Sequence, residues 1–221
     1  MNRISNLTFL SLIILLGACG TNKTTDSKTS VKDSVKQTTL VVNTVSTWAD
    51  DSIKLTKLTR DLYQWHQKPM KHDGFKALKS KPTDTLSNSI DLEENTEAIK
   101  ELKATGFFAD EFLDNYRNLA VRMDKELREG TSLWPDGEVP TFFSDADEWC
   151  NCQDNPDNYW ETLTLTDLKF DKDQATFKWT WGDNFFYKVH TRKEGDNWKI
   201  SYLEGWDPDN FNWEWVKKHP K

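Results

Sequence analysis

Between Leu163 and Leu203 apolar and polar residues alternate with a period of two, interrupted three times by turn residues. Ala175, Phe177, Trp179 and Trp181 alternate with Thr176, Lys178 and Thr180. Tyr187, Val189 and Thr191 alternate with Lys188, His190 and Arg192, and Trp198, Ile200 and Tyr202 alternate with Lys199 and Ser201. A period of two puts each apolar set on one face of a pleated strand. The interruptions are Asp171-Lys172-Asp173, Gly182-Asp183-Asn184 and Gly195-Asp196-Asn197, residue types that accept the left-handed backbone of tight hairpins. The stretch predicts an antiparallel meander with one aromatic face, and that face needs a cover.

The cover lies upstream. Leu55, Leu58, Leu62 and Trp65 recur at helical spacing with Tyr63 beside them. Asp50-Asp51-Ser52 offers N-cap groups, and Pro69 sets the end, because the residue before a proline avoids the α region. Lys68 to Ser89 is polar, contains Gly74 and Pro82, and reads as a loop. Glu93 to Ala104 reads as a short helix with Ile99 and Leu102 inward, ended by Gly106. Phe108, Phe112, Tyr116, Leu119, Met123 and Leu127 mark the clearest helix, widened by Leu113 and Ala120 and capped at Gly130. Helices first and a meander after is an α+β order. The expected core sets Phe112, Tyr116, Leu119 and Met123 against Phe177, Trp179, Val189 and Ile200.

The first residues read as an address. Arg3 precedes a short apolar run, Leu7 to Leu16, which is too short for a bilayer span of about 20 residues and suits a secretory signal. The run ends in Leu16-Gly17-Ala18-Cys19, which resembles the lipobox of bacterial lipoproteins. That resemblance implies cleavage before Cys19 and acylation of its sulfur, leaving 203 residues outside the cytoplasm. Thr21 to Thr39 is mostly Thr, Ser, Lys, Asp and Asn, a composition that cannot bury apolar surface. The expected organisation is a signal peptide at 1–18, lipidated Cys19 with a disordered tether to 46, and one domain at 47–221.

Charge narrows the partners. The whole chain carries a formal −7. Residues 20–46 hold four Lys against two Asp, so 47–221 is near −10. An acidic domain argues against nucleic acid, whose phosphates call for clustered Lys and Arg. By the same count it argues against electrostatic docking on anionic lipid, leaving the acyl chains as the membrane contact. From Glu129 to Leu168 there is no Lys or Arg, while ten acids lie there among Phe142, Phe143, Trp149, Tyr159 and Trp160. Such a run reads as solvated loops, as a patch for a basic protein partner, or as oxygen ligands for calcium from Asp145, Asp147, Asp154 and Asp157.

Residues 53–203 resemble a family of bacterial envelope domains with the nuclear transport factor 2-like, cystatin-like cone fold. The matching residues are Leu62-Tyr63-Gln64-Trp65, Thr105-Gly106-Phe107-Phe108, Asp145-Ala146-Asp147-Glu148-Trp149 and Asn197-Trp198-Lys199-Ile200. The resemblance implies helices on the concave side of a curved antiparallel sheet of four or more strands, often around a pocket. It supplies no catalytic residues. Binding residues expected from such a cone are Tyr63, Asp145, Asp147, Trp149 and His190.

Cys150 and Cys152, one residue apart, read as a redox or soft-metal pair, as a local staple, or as two free thiols in a loop. His66, His72, His190 and His219 are scattered, without the spacing of a zinc hydrolase, and neither a metal nor a cofactor is expected. The leading expectation is a lipid-anchored envelope protein that binds a small ligand or partner without chemistry. A protein antagonist of the immunity type with an acidic surface follows, and then a small-molecule hydrolase or isomerase using His190, Asp147 and Tyr63.

Overall fold

A computed structural model describes residues 32–131, 134–135 and 146–210. Helix α1 (Lys32–His66) leads to the short strands β1 (Ala77–Leu78), β2 (Leu86–Ser87) and β3 (Ser89–Ile90). Helices α2 (Leu92–Thr105) and α3 (Asp110–Arg128) follow, then β4 (Trp134–Pro135) and the single-turn α4 (Tyr159–Thr162). The meander is β5 (Thr164–Asp171), β6 (Gln174–Thr180), β7 (Tyr187–Glu194) and β8 (Asn197–Leu203), closed off by two 3-10 turns. Its strands are antiparallel in the order β5-β6-β7-β8, while β1 pairs with β3 and β2 with β4. The architecture is α+β with an open four-stranded sheet. The chain falls into two units, residues 1–44 and 45–221, and the described part of the first is helical.

Helix α1 is described from Lys32 on and includes residues 32–46, and Asp50-Asp51-Ser52 lies within it instead of capping it, which corrects the capping expectation. No Gly or Pro occurs from 21 to 68, so no residue in that stretch imposes a stop. Asp51 has another use. Its buried carboxylate accepts from Trp198 Nε1 at 2.9 Å and from Lys193 Nζ at 3.2 Å, tying α1 to the far end of the sheet. Leu55, Leu62 and Tyr63 are buried on the same helix.

Asp91 caps α2, its side chain accepting from the Glu94 N–H at 3.1 Å, and Gly106 ends that helix with φ 75°. Helix α3 buries the expected stripe, with Phe112, Leu113, Tyr116, Leu119, Ala120, Met123 and Leu127 inward. Ala109 stands at its N-cap without a polar side chain. The chain is steered there by the sheet: the Ile200 N–H donates to the Phe107 carbonyl at 2.8 Å and the Ala109 N–H to the Ile200 carbonyl at 2.9 Å. Residues 107–109 thus run beside β8, and the hydrogen bonds that direct chain entry come from the sheet edge. Lys68–Ser89, expected as plain loop, carries β1 and β2.

The inner face of the sheet is Ala175, Phe177 and Trp179 on β6, Tyr187, Val189 and Thr191 on β7, and Trp198, Ile200 and Leu203 on β8. Tyr202 is not in this set, which corrects the third alternation. A register shift sits opposite His190 and Thr191: Thr191 pairs with Ile200, but His190 pairs with Tyr202, leaving Ser201 as the extra residue. One extra residue reverses the side-chain phase, so Tyr202 points outward and Leu203 inward.

Candidate functional site

Three of the residues expected to bind, Tyr63, Asp147 and Trp149, meet at one short loop, residues 146–152. Asp147 and Cys152 form an antiparallel bridge, with the Asp147 N–H donating to the Cys152 carbonyl at 3.0 Å. The Asp147 carbonyl accepts from the Cys150 N–H at 3.2 Å and the Asn151 N–H at 2.6 Å. Its carboxylate Oδ1 accepts from the Trp149 N–H at 2.9 Å, an Asx turn. Asn151 takes the left-handed φ of 53° that so tight a return needs, and asparagine tolerates it well. Cys150 and Cys152 are joined by a disulfide across a Cα–Cα distance of 5.2 Å.

Two tyrosines fasten the loop to the domain. Tyr63, wholly buried on α1, donates its hydroxyl to the Trp149 carbonyl at 2.7 Å and accepts from Trp179 Nε1 at 2.9 Å. Tyr187, wholly buried on β7, donates to the Glu148 carbonyl at 2.8 Å and accepts from the Gly205 N–H at 2.9 Å. Gly205 must be glycine: a Cβ there would lie 1.9 Å from the Glu148 oxygen. The Trp149 side chain is 7% exposed and meets Trp65 at 5.9 Å, Phe108 at 5.9 Å and Trp206 at 5.3 Å between ring centroids. The loop is therefore a plug. Its side chain fills the core, and its carbonyls are satisfied by buried hydroxyls, as buried polar groups require.

Burial holds the phenols of Tyr63 and Tyr187 well above their ordinary values. Both hydroxyls donate to a carbonyl and accept a hydrogen bond, so they serve as struts. At the rim, His66 Nε2 lies 3.8 Å from Asp147 Oδ2, and the imidazole ring lies 5.1 Å from the Trp149 ring. Burial lowers the His66 imidazole below its usual value, and the Asp147 carboxylate opposes that shift. The Asp147 carboxylate and the His66 ring thus form a polar pair at the loop's rim.

Tyr63, Asp147, Trp149, Cys150 and Cys152 are brought together, but in different roles from those expected. Tyr63 and Trp149 are packing elements, and only Asp147 reaches solvent. His190 is elsewhere. It lies on the outer face of β7, stacked on Tyr202 with centroids 4.4 Å apart, and partial burial together with Lys188 lowers its imidazole from the usual value. His190 therefore does not join Asp147 and Tyr63 in an acid–base set, because its neighbours Tyr187 and Val189 take the inner face. Asp145 and Cys19 lie outside the described residues, as do Phe211, Trp213 and Trp215 of the tail. Asp154 and Asp157 are exposed in the run 153–158, and no three carboxylate, imidazole or thiol groups converge as a cation site among the described residues. The sequence reading missed His66, which sits three residues after Tyr63 on the same helical face. It also missed Gly205, whose contact with the loop has no local signal.

No helix among the described residues is long and apolar enough to cross a membrane. No family model, curated protein or solved structure matches the chain. What the fold and site define by themselves is an α+β domain whose disulfide-closed loop seals one side of an aromatic core.

Proposed function

We propose that the protein is a lipid-anchored component of the cell envelope, attached through Cys19, whose domain binds a ligand or partner without catalysing a reaction. The observation that carries this reading is the Cys150–Cys152 disulfide. Disulfides persist in oxidising compartments outside the cytoplasm, in agreement with the lipobox-like Leu16-Gly17-Ala18-Cys19. The finer fold reading, a nuclear transport factor 2-like cone, goes with it: α1 and α3 cover the inner face of the meander, as in that fold. The binding reading is favoured over the hydrolase or isomerase reading by the spending of Tyr63 on struts and by the outward position of His190.

A second reading is favoured by one observation. Residues 153–158, with Asp154 and Asp157, are all exposed next to the clamped loop, which suits an antagonist that meets a basic protein. The deciding experiment fractionates cells producing the wild-type and Cys19→Ser proteins, with thiol labelling before and after reduction. Membrane recovery that is lost on Cys19→Ser, with thiols of Cys150 and Cys152 labelled only after reduction, is the expected result. Equal recovery of both forms in the membrane fraction overturns the anchor. Free thiols in the isolated protein overturn the compartment.

A further inference from the structure

The Cys150–Cys152 disulfide closes a ring around one residue. A disulfide stabilises a fold mainly by restricting the unfolded chain, and the effect grows with the loop it closes, so a ring this small contributes little of that kind. Nor does the loop depend on it for attachment. The Asp147 carbonyl already holds the Cys150 and Asn151 N–H groups, and the Asp147 N–H donates to the Cys152 carbonyl. Tyr63 and Tyr187 hold the carbonyls of Trp149 and Glu148. What the bond does fix is the distance between two sulfurs in a place without slack. Cys150 is 2% exposed and Cys152 9%. Behind the loop, Gly205 comes so close that one added carbon would collide with the Glu148 carbonyl and meet Asn151 Oδ1 at 2.8 Å. Once the bond is broken, two thiols cannot stay at bonding distance: their sulfurs must part by about 1.5 Å to reach van der Waals contact. A close-packed interior does not absorb such a change without displacing its surroundings.

We propose that this bond is a redox latch on the plug: reduction by a dithiol pushes residues 146–152 outward, draws Trp149 from its aromatic seat and opens the core to a ligand. The proposal rests on the envelope reading, since the bond must form before it can be opened, and it adds regulation to the binding assigned there. Asn151 and residues 153–158 are exposed, so the room for the parting sulfurs lies on the solvent side. Trp149 adjoins Cys150 in the chain and moves with it. Its departure uncovers Trp65, Phe108, Phe112 and Trp206 and frees the Tyr63 hydroxyl from the Trp149 carbonyl. The seat then offers aromatic walls and a hydrogen-bond donor, which suits a flat apolar ligand carrying a carbonyl oxygen. The exchange balances. A thiolate of the reductant attacks Sγ of Cys152, the less enclosed of the two residues, forming a mixed disulfide and expelling the Cys150 thiolate. The reductant's second thiol then attacks its own sulfur in that mixed disulfide, closes a disulfide there and releases Cys152. Two electrons pass to the protein, and the two protons given up by the reductant end on the cysteines.

The test uses the oxidised Cys19→Ser protein, whose remaining cysteines are this pair, with and without dithiothreitol. The readouts are amide hydrogen exchange of the peptide covering residues 146–152 and binding of Nile red, a flat neutral dye with a carbonyl oxygen. Reduction is expected to speed that exchange about tenfold or more and to raise dye binding, while the peptide covering α3 stays protected. Cys150→Ala with Cys152→Ala removes the bond together with the sulfurs that must part. This variant should stay closed, within about threefold of the oxidised wild type, whether or not dithiothreitol is present. Free thiols in the isolated protein overturn the envelope reading and the latch with it. A bond that forms, but whose reduction leaves loop exchange or dye binding unchanged, overturns the latch alone. So does a double alanine variant as open as the reduced wild type, because the bond is then a simple staple, and so does a loss of protection in α3 on reduction, which makes the change a global unfolding.

Discussion

Tyr63→Phe isolates one strut of the plug. The ring stays, so the contacts with Tyr159 at 5.8 Å and Trp179 at 4.5 Å between centroids are retained. Only the hydroxyl leaves, and it takes with it the donor to the Trp149 carbonyl and the acceptor for Trp179 Nε1. Trp179 is wholly buried, so water does not replace the lost acceptor. A buried polar group left unpaired costs about 1–3 kcal/mol, and two of them together cost about 2–6 kcal/mol. The assay is urea unfolding followed by tryptophan fluorescence, with the midpoint and slope fitted for both proteins. Tyr187→Phe removes the equivalent pair, the donor to the Glu148 carbonyl and the acceptor for the Gly205 N–H. Both struts hold one loop, so the double variant should cost less than the two single losses added. A Tyr63→Phe loss under about 0.5 kcal/mol, the range of surface changes, would refute the strut argument. Full additivity in the double variant would refute the claim that the loop moves as one piece.

Leu119→Ala, in the buried stripe of α3, should cost about 2–5 kcal/mol in the same assay, and a loss in the surface range would place Leu119 outside the core. Asp51→Asn removes the charge that meets Lys193 and weakens the acceptor for Trp198 Nε1; a loss of about 1–3 kcal/mol is expected, and none if the α1–sheet tie is idle. The His66 imidazole is lowered in the folded protein, so the unfolded chain binds the extra proton. Its contribution is therefore present above the ordinary value near 6.5 and is lost as pH falls from there towards the lowered folded value. His190 is lowered too and has the same sign, so the check is the difference in unfolding free energy against pH between wild type and His66→Gln. An unchanged slope between the two would remove His66 from the pH response.

Elements carried by local spacing were legible. The stripe from Phe112 to Leu127 needs only a 3.6-residue period, and the inner sets of β6 and β7 need only a period of two. What failed was decided by partners distant in sequence. Asp51 has a good composition for a cap, yet its carboxylate is claimed by Trp198, 147 residues away. Trp149 lies among acids and reads as a binding residue, but Tyr63, 86 residues earlier, holds its backbone and Trp65 and Phe108 enclose its ring. The disulfide was foreseen as one of three alternatives, because a Cys-Asn-Cys spacing allows a staple without showing that its surroundings are closed.

The polar face of the meander was legible only in part, for a related reason. A net charge is a sum without positions. The alternation already placed Lys178, Lys188 and Arg192 on the polar face, but not opposite one another. Facing pairs need register, and register comes from turn lengths and bulges. The β7–β8 hairpin turns at Gly195-Asp196 with φ 61° at the glycine, and this tight turn sets Arg192 against Lys199. The extra residue at Ser201 then turns Tyr202 out to meet His190 and Lys188. Had β8 continued in phase, Ser201 would face His190, Tyr202 would lie inward, and the outer face would lack one of its two aromatic rings. A one-residue bulge in β8 thus decides which ring stands beside His190 and Lys188 on the outer face.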